Sequence, residues 1–209
     1  MLTFFHAPWS RSSSILWLLE ELGIQYALEV VDIRSAQGVP EPYRAIQPSK
    51  KVPAIVMGDH VITERAAIAI FLADRFPEAG LAPAIDDPCR GEYLTAMVYC
   101  DAVFDPVVCA NVHGLEYENN QYPFGLYEDM LAYLERCLTK RRFAAGNRFT
   151  AADTQLATAI NYTMNMLGAV PERPVFKAYI NRIMGRAAYG RAQQIELELS
   201  SKIPFFTGR

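Results

Sequence analysis

The chain has 209 residues, of which 51% are hydrophobic and 21% charged, and a formal net charge of −3. That length fits one large domain or two small ones, with enough apolar material for a true core. Neither half carries a basic arm or an acidic tail, which excludes nucleic acid and anionic membranes as electrostatically recruited partners and leaves small molecules or a second copy of the chain.

The first segment, Leu2 to His6, is a short apolar and aromatic run suited to a buried strand. It meets Pro8 and Arg11 at once, too soon for the core of a signal peptide. No long apolar run is read further along, so a cytoplasmic location without membrane contact is expected. The polar cluster Ser10-Arg11-Ser12-Ser13-Ser14 then leads into Ile15, Leu18, Leu19 and Leu22 at i, i+3, i+4 and i+7, one face of a helix. Serines are available to cap its start, and Gly23 stands where it should end. Tyr26 to Ile33 reads as a second strand.

Gly38 to Pro48 contains three prolines and reads as loop with at most one helical turn. Val52 to Met57 forms a third strand and Val61-Ile62 the centre of a fourth, with Gly58-Asp59-His60 as the hairpin turn. A helix beginning at Thr63 presents Ala67, Ile68, Phe71 and Leu72 and stops at Pro77. The expected order is β-α-β, then a helical turn, then β-β-α. The stretch from Pro77 to Pro88 reads as a linker, and beyond it only helical patterns occur, at about 88–113, 124–143, 151–167, 174–185 and 186–198. The expected domains are therefore 1–78, a linker at 79–88, and an all-helical 89–209. Thr150 and Asp153 have the spacing of a reciprocal helix cap, each side chain reaching the other's backbone amide. Cys89, Cys100, Cys109 and Cys137 all lie in the second half without a C-x-x-C pair, and read as small buried hydrophobes, neither a disulfide framework nor a metal site.

Three local features then fall in order. A Phe-x-x-Pro-x-Ser-x-Ser-Ser run at 5–13 opens a helix of the form Leu-x-Leu-Leu-Glu-Glu-Leu-Gly. Gln47-Pro48-Ser49-Lys50-Lys51-Val52-Pro53-Ala54-Ile55 and Ile62-Thr63-Glu64-Arg65-Ala66-Ala67-Ile68 follow it. Together with the Thr150–Asp153 box, this set resembles the soluble glutathione transferases, closest in style to bacterial, serine-dependent members of theta or beta type. The resemblance implies an α/β thioredoxin-like N-terminal domain of order β-α-β-α-β-β-α, an all-α C-terminal domain that shapes the second substrate's pocket, and a homodimer in which Asp101 and Asp105 reach the partner's glutathione.

It also implies residue roles. The bond before Pro53 is cis in the family, so that the backbone of Val52, beside Lys51, pairs with the cysteinyl part of glutathione like an added strand. From the residues alone, Pro53 also fits an ordinary proline opening an edge strand. Glu64, at a helix start, takes the ligand's ammonium, and Arg65, where relatives carry serine, faces its γ-glutamyl carboxylate. The bland alternatives are a Glu64 that complements the helix dipole and an Arg65 paired with Glu64 or solvated.

Only a thiolate attacks an electrophile, and lowering a thiol pKa from ~8.5 to between about 6 and 7 takes about 3 kcal/mol. A hydroxyl donor supplies about 1.5–3 kcal/mol and a partly buried helix N-terminus up to about 2. Ser10 is the first candidate for that donor and Ser12 the second; the other reading is that the serines only cap the helix. No cysteine precedes Cys89, so disulfide reduction through a protein thiol at this site is excluded. The expected activity is attack of bound glutathione on a small hydrophobic electrophile, without a metal; peroxide reduction, dehalogenation and isomerisation are not separated by any residue. Ala7, where some relatives carry serine, and Arg65 leave open a non-catalytic binding or interaction protein. His113, beside Gly114 at a helix end, reads as a dipole partner or as a base.

Overall fold

A computed structural model describes residues 1–35 and 38–208. Its Cα packing divides the chain into two compact units, Met1–Leu72 together with the segment from Arg186 onward, and Ala73–Gly185. Of the expected second domain, Arg209 lies outside the described residues.

The first unit is built on a four-stranded sheet of order β2-β1-β3-β4, with β1 at Leu2–His6, β2 at Ala27–Val30, β3 at Ala54–Met57 and β4 at His60–Thr63. Strand β1 runs parallel to β2 and antiparallel to β3, and β3 antiparallel to β4. This is the thioredoxin-like arrangement. The alternation within β1 sends Leu2, Phe4 and His6 into the core. Behind Ala7, the residues Val31, Val39, Tyr43, Val52 and Ala54 form a separate apolar cluster, covered by the short helix α2 at Glu41–Ile46.

Helix α1, Ser13–Leu22, ends as its sequence predicts: Gly23 adopts φ 64° and donates its N–H to the Leu19 carbonyl at 3.0 Å. Its burial is wider than one face, extending over Ser14 to Leu19, because helix α9 at Ala187–Ser200 packs along it. The Trp17 and Tyr189 rings meet edge-on at 4.8 Å, while Arg186 and Arg191 pair with Glu21 and Glu20 at 2.6 and 2.8 Å. The buried face of α9 is Ala188, Ala192, Glu196 and Ser200, one residue per turn. Helix α10, Pro204–Thr207, follows and was not expected.

Several boundaries shift from the expectation. β2 is shorter than Tyr26–Ile33. β3 starts after Pro53, which has no N–H to give a ladder. His60 belongs to β4, since Gly58, at φ 60°, carries the turn. Helix α3 runs Arg65–Arg75, later than Thr63, because Thr63 still pairs with Ala54 and Glu64 is held at φ 67°.

The second unit is all-helical. Helices α4 (Arg90–Tyr99) and α5 (Asp105–Val112) are joined by a π-helical turn at Cys100–Phe104. One residue, Asp105, separates that wider turn from Pro106, which cannot donate to its own preceding turn. The combined run 90–112 is long and apolar enough to cross a membrane, contrary to the expectation of no such stretch, yet its Tyr93, Met97, Cys100, Phe104 and Val107 are fully buried in the fold. α6 spans Tyr127–Lys140, α7 Ala151–Asn161 with a π turn at Tyr162–Met166, and α8 Pro174–Ile183. The cysteines are free, and Cys109 is exposed where burial was expected.

The start of α7 carries the reciprocal cap read from the sequence. Asp153 does more than cap. One carboxylate oxygen accepts from the Thr150 N–H at 2.8 Å; the other accepts from the Ala144 N–H at 2.8 Å and the Tyr179 hydroxyl at 2.9 Å. The carboxylate is fully buried, and desolvation pushes its pKa from 3.8 up to about 6 although the hydrogen bonds oppose the shift. Asp153→Ala leaves the Thr150 and Ala144 amides and the Thr150 and Tyr179 hydroxyls without this acceptor and should cost about 3 kcal/mol or more, against about 1 kcal/mol for Thr150→Ala. Urea unfolding of both variants checks this. Since the folded-state pKa is raised, the contribution of Asp153 is fully present below about pH 4 and is lost as pH rises through about 6. The Asp153→Asn variant should lack that slope.

Candidate functional site

Strand register brings the three sequence motifs together. Phe5 pairs with Ala54, and Ala54 pairs with Thr63. The loop after His6, the segment 50–53 before Ala54 and the Glu64-Arg65 step after Thr63 therefore leave the sheet at the same end. Among the described residues, the non-glycine positions with left-handed backbone are Trp9 (φ 54°), Lys50 (φ 59°) and Glu64 (φ 67°), one in each of these three segments. Such conformations cost about 1–3 kcal/mol each and collect where a ligand must be met.

The Val52-Pro53 peptide bond is cis. The ladder begins at Ala54, so the backbone of Val52 stands outside it. The Lys51 carbonyl accepts from the Tyr43 hydroxyl at 2.5 Å, and burial raises the phenol pKa to about 12. The Lys51 side chain is exposed. Glu64 is also exposed, and its carbonyl starts α3 by accepting from the Ile68 N–H at 2.9 Å. Arg65 is only 4% exposed, so its guanidinium is not a solvated surface charge.

The two candidate serines differ sharply. Ser12 is fully buried, and its Oγ has four neighbours: His6 Nδ1 and Ser10 Oγ at 2.7 Å, and the Ala7 N–H and carbonyl at 3.2 Å. Ser10 is half-buried; its Oγ meets Ser12 Oγ and accepts from the Ser12 N–H at 3.1 Å. Neither hydroxyl caps α1 in the usual way, for Ser12 makes no side-chain cap bond. Ser13 Oγ, at the first helical position, is buried and without a hydrogen-bond partner among the described residues.

Three residues that sequence reasoning passed over hold this loop. His6, fully buried, places Nε2 3.4 Å from the Glu196 carboxylate, which also accepts from the Trp9 N–H at 2.9 Å. Arg34 donates to the Pro8 and Trp9 carbonyls, each at 3.1 Å, and its guanidinium lies over the Phe205 and Phe206 rings at 5.2 and 4.8 Å. The strained Trp9 is thus fixed through both its N–H and its carbonyl. Glu196 had a signal, being the one acid on the small-residue stripe of α9; Arg34 had none.

Comparison with known proteins matches residues 8–75 to the glutathione S-transferase N-terminal domain and residues 120–187 to the glutathione S-transferase C-terminal domain. Glutathione S-transferase 3 of Schizosaccharomyces pombe is 28% identical over 180 residues, spanning 77% of this chain and 73% of that protein. A stringent starvation protein A homolog of Histophilus somni is 25% identical over 175 residues, spanning 82% and 80%. A sphingomonad glutathione S-transferase solved in complex with glutathione superposes with a TM-score of 0.73 at 26% identity, covering 93% of this chain and 98% of that one. With both domains matched in order and the sheet, cis bond and helix starts arranged as described, the chain belongs to the glutathione S-transferase family, whose activity is glutathione transfer.

Proposed function

We infer that the protein joins glutathione to a small hydrophobic electrophile, with the Ser10 hydroxyl donating to the bound thiolate. The observation that carries this reading is the convergence of three strained loops at one end of the sheet. There, the Val52 backbone pairs with the cysteinyl part of glutathione, held in place by Pro53. The exposed Lys51 ammonium meets one of the ligand's carboxylates. Glu64 takes the γ-glutamyl ammonium, and the first amides of α3, including that of Arg65, take the adjoining carboxylate. With its side chain buried, Arg65 serves through its backbone. No metal takes part in this reading.

Ser10 is favoured over Ser12 because its hydroxyl is half-open, whereas that of Ser12 is enclosed by four protein groups. A hydroxyl bonded to a charged sulfur contributes about 1.5–3 kcal/mol, so Ser10→Ala should raise the pKa of the bound thiol by about 1–2 units. Conjugation of an activated aryl halide followed against pH reads that shift, while calorimetry should find glutathione binding little changed. The same thiolate would serve peroxide reduction or dehalogenation.

A second reading is a non-catalytic member that binds small molecules or proteins, favoured by Ala7 and Arg65, where relatives carry serine. Retention on immobilised glutathione without turnover of the aryl halide would select it. We assign the protein to the cytoplasm and to a homodimer; light scattering at micromolar concentration should give twice the chain mass, and a monomer would refute the dimer.

A further inference from the structure

The conjugation reading leaves one proton unaccounted for. Glutathione arrives as a thiol and reacts as a thiolate, so the site must take a proton as well as stabilise a charge. A serine hydroxyl cannot keep one. The groups behind Ser10 can.

From the surface inward, Ser10 Oγ lies 2.7 Å from Ser12 Oγ, Ser12 Oγ lies 2.7 Å from His6 Nδ1, and His6 Nε2 lies 3.4 Å from Glu196 Oε2. Ser12, His6 and Glu196 are each fully buried. Among the described residues, the Nε2 atom has no hydrogen-bond partner within ordinary limits, and Glu196 Oε1 has none either. A histidine ring and a carboxylate have thus been taken out of water with bonding capacity to spare, which is costly unless the pair is used.

Apart from the longer Ser12 donation to the Ala7 carbonyl at 3.2 Å, the hydrogens of the chain have two arrangements that link Ser10 to His6. Each hydroxyl has one hydrogen to give and two lone pairs. Ser12 always accepts from the Ala7 N–H, and Ser10 always accepts from the Ser12 N–H. In one state, neutral His6 carries its hydrogen on Nε2, facing the Glu196 carboxylate. Ser12 then donates to Nδ1 and Ser10 donates to Ser12, which leaves one Ser10 lone pair open outward. In the other state, His6 carries hydrogens on both nitrogens. Nδ1 donates to Ser12, Ser12 donates to Ser10, and the Ser10 hydrogen points outward. The first state can accept a thiol hydrogen; the second can stabilise a thiolate.

We propose that Ser10, Ser12 and His6 form a proton relay that carries the glutathione thiol proton to the buried His6–Glu196 pair. This rests on the assignment of Ser10 as the hydroxyl beside the sulfur. The step balances as three linked transfers. The S–H bond breaks as a new Ser10 O–H forms; the former Ser10 hydrogen passes to Ser12; the former Ser12 hydrogen passes to His6 Nδ1. One proton moves from sulfur to imidazole, no electrons change hands, and Ser10 ends by donating to the thiolate it has produced. Glu196 is the carboxylate beside the ring that takes the proton, 3.4 Å from Nε2. His6 and Glu196 act through Ser10 and are positioning residues. The titratable and charged groups around the ring are Glu196 and Tyr189 of α9, whose phenol lies in the field of Glu196, and Arg34 across the loop at Pro8 and Trp9. From the sheet, the Phe4 ring lies against it, at 5.4 Å.

The test uses the full chain with 15N-labelled histidine, in which three histidines give separable ring signals. Nitrogen shifts report which ring atoms carry hydrogen. Adding glutathione should convert His6 from the Nε2–H form to the doubly protonated form, while S-methylglutathione, which has no thiol hydrogen, should leave it unchanged. The near-isosteric Glu196→Gln variant should raise the bound thiol pKa by about 1 unit or more, with binding of S-methylglutathione unaltered. His6→Gln should do the same, and should it fail to fold, the labelled wild type decides alone. The relay is overturned if His6 is unchanged while bound glutathione ionises, or if Glu196→Gln leaves the thiol pKa in place; if Ser10→Ala still shifts that pKa, the serine-donor reading survives. If Ser10→Ala is silent as well, that reading has failed, and the relay with it.

Discussion

The pairing of Ala54 with both Phe5 and Thr63 is the constraint on which the site depends. Each of these strands is short, and a slip of one residue would turn every side chain in the strand to the opposite face. The alternation in β1 prevents this, since Leu2, Phe4 and His6 must stay buried together. Once the register is fixed, three loops distant in sequence start from one row of the sheet, and each turns sharply through a left-handed residue. The strain in those turns is offset locally. Trp9 is held by Glu196 and Arg34, and the carbonyl after Lys50, that of Lys51, is held by Tyr43.

The attachment of α9 to α1 follows from the same logic. Its buried stripe is made of two alanines, a serine and one acid, which is too small to drive packing by apolar area alone. What fixes its position is directional: two arginine pairs at its start, the Trp17–Tyr189 edge contact, and Glu196 reaching the Trp9 amide. Exposed arginine pairs contribute little. The buried Glu196 contacts are more specific, because a carboxylate placed there has few other groups to meet. A segment late in the sequence is thereby tied to the loop that follows the first strand.

Much of this was legible in the sequence. The strand and helix order, the Gly23 stop, and the Thr150–Asp153 cap all follow from periodicity and local spacing, and the three motifs marked the segments that meet at the sheet end. Boundaries moved where a long-range pairing outlasted a local signal, as when Thr63 stayed with Ala54 rather than opening α3. The π turn before Pro106 was hidden because periodicity does not distinguish a widened turn from a regular one. His6 was read only as the end of an apolar strand. Its partners lie 6 and 190 positions away, and nothing local links a strand histidine to an acid in the last long helix. Both serines were candidates in the sequence, but what separates them is enclosure, a tertiary property.

The two buried carboxylates show why enclosure matters for chemistry. Asp153 is surrounded by the Thr150 and Ala144 amides and the Tyr179 and Thr150 hydroxyls, so that both of its oxygens are engaged. Such a group is closed: its bonds are spent on joining α7, α8 and the preceding loop, and any change of its charge acts on stability. Glu196 is equally buried, but among the described residues only one of its oxygens is engaged, by an amide and a histidine at ion-pair distance. That histidine leads through the Ser12 hydroxyl to the half-open Ser10. Protonation of a fully bonded acid acts on the bonds it already makes. An acid with an open oxygen beside a ring that can hold one hydrogen or two has more than one arrangement, and in the proposed relay the hydroxyls carry that choice to the surface. The difference between a structural and a functional buried charge therefore lies less in burial than in whether its hydrogen bonds have more than one complete arrangement.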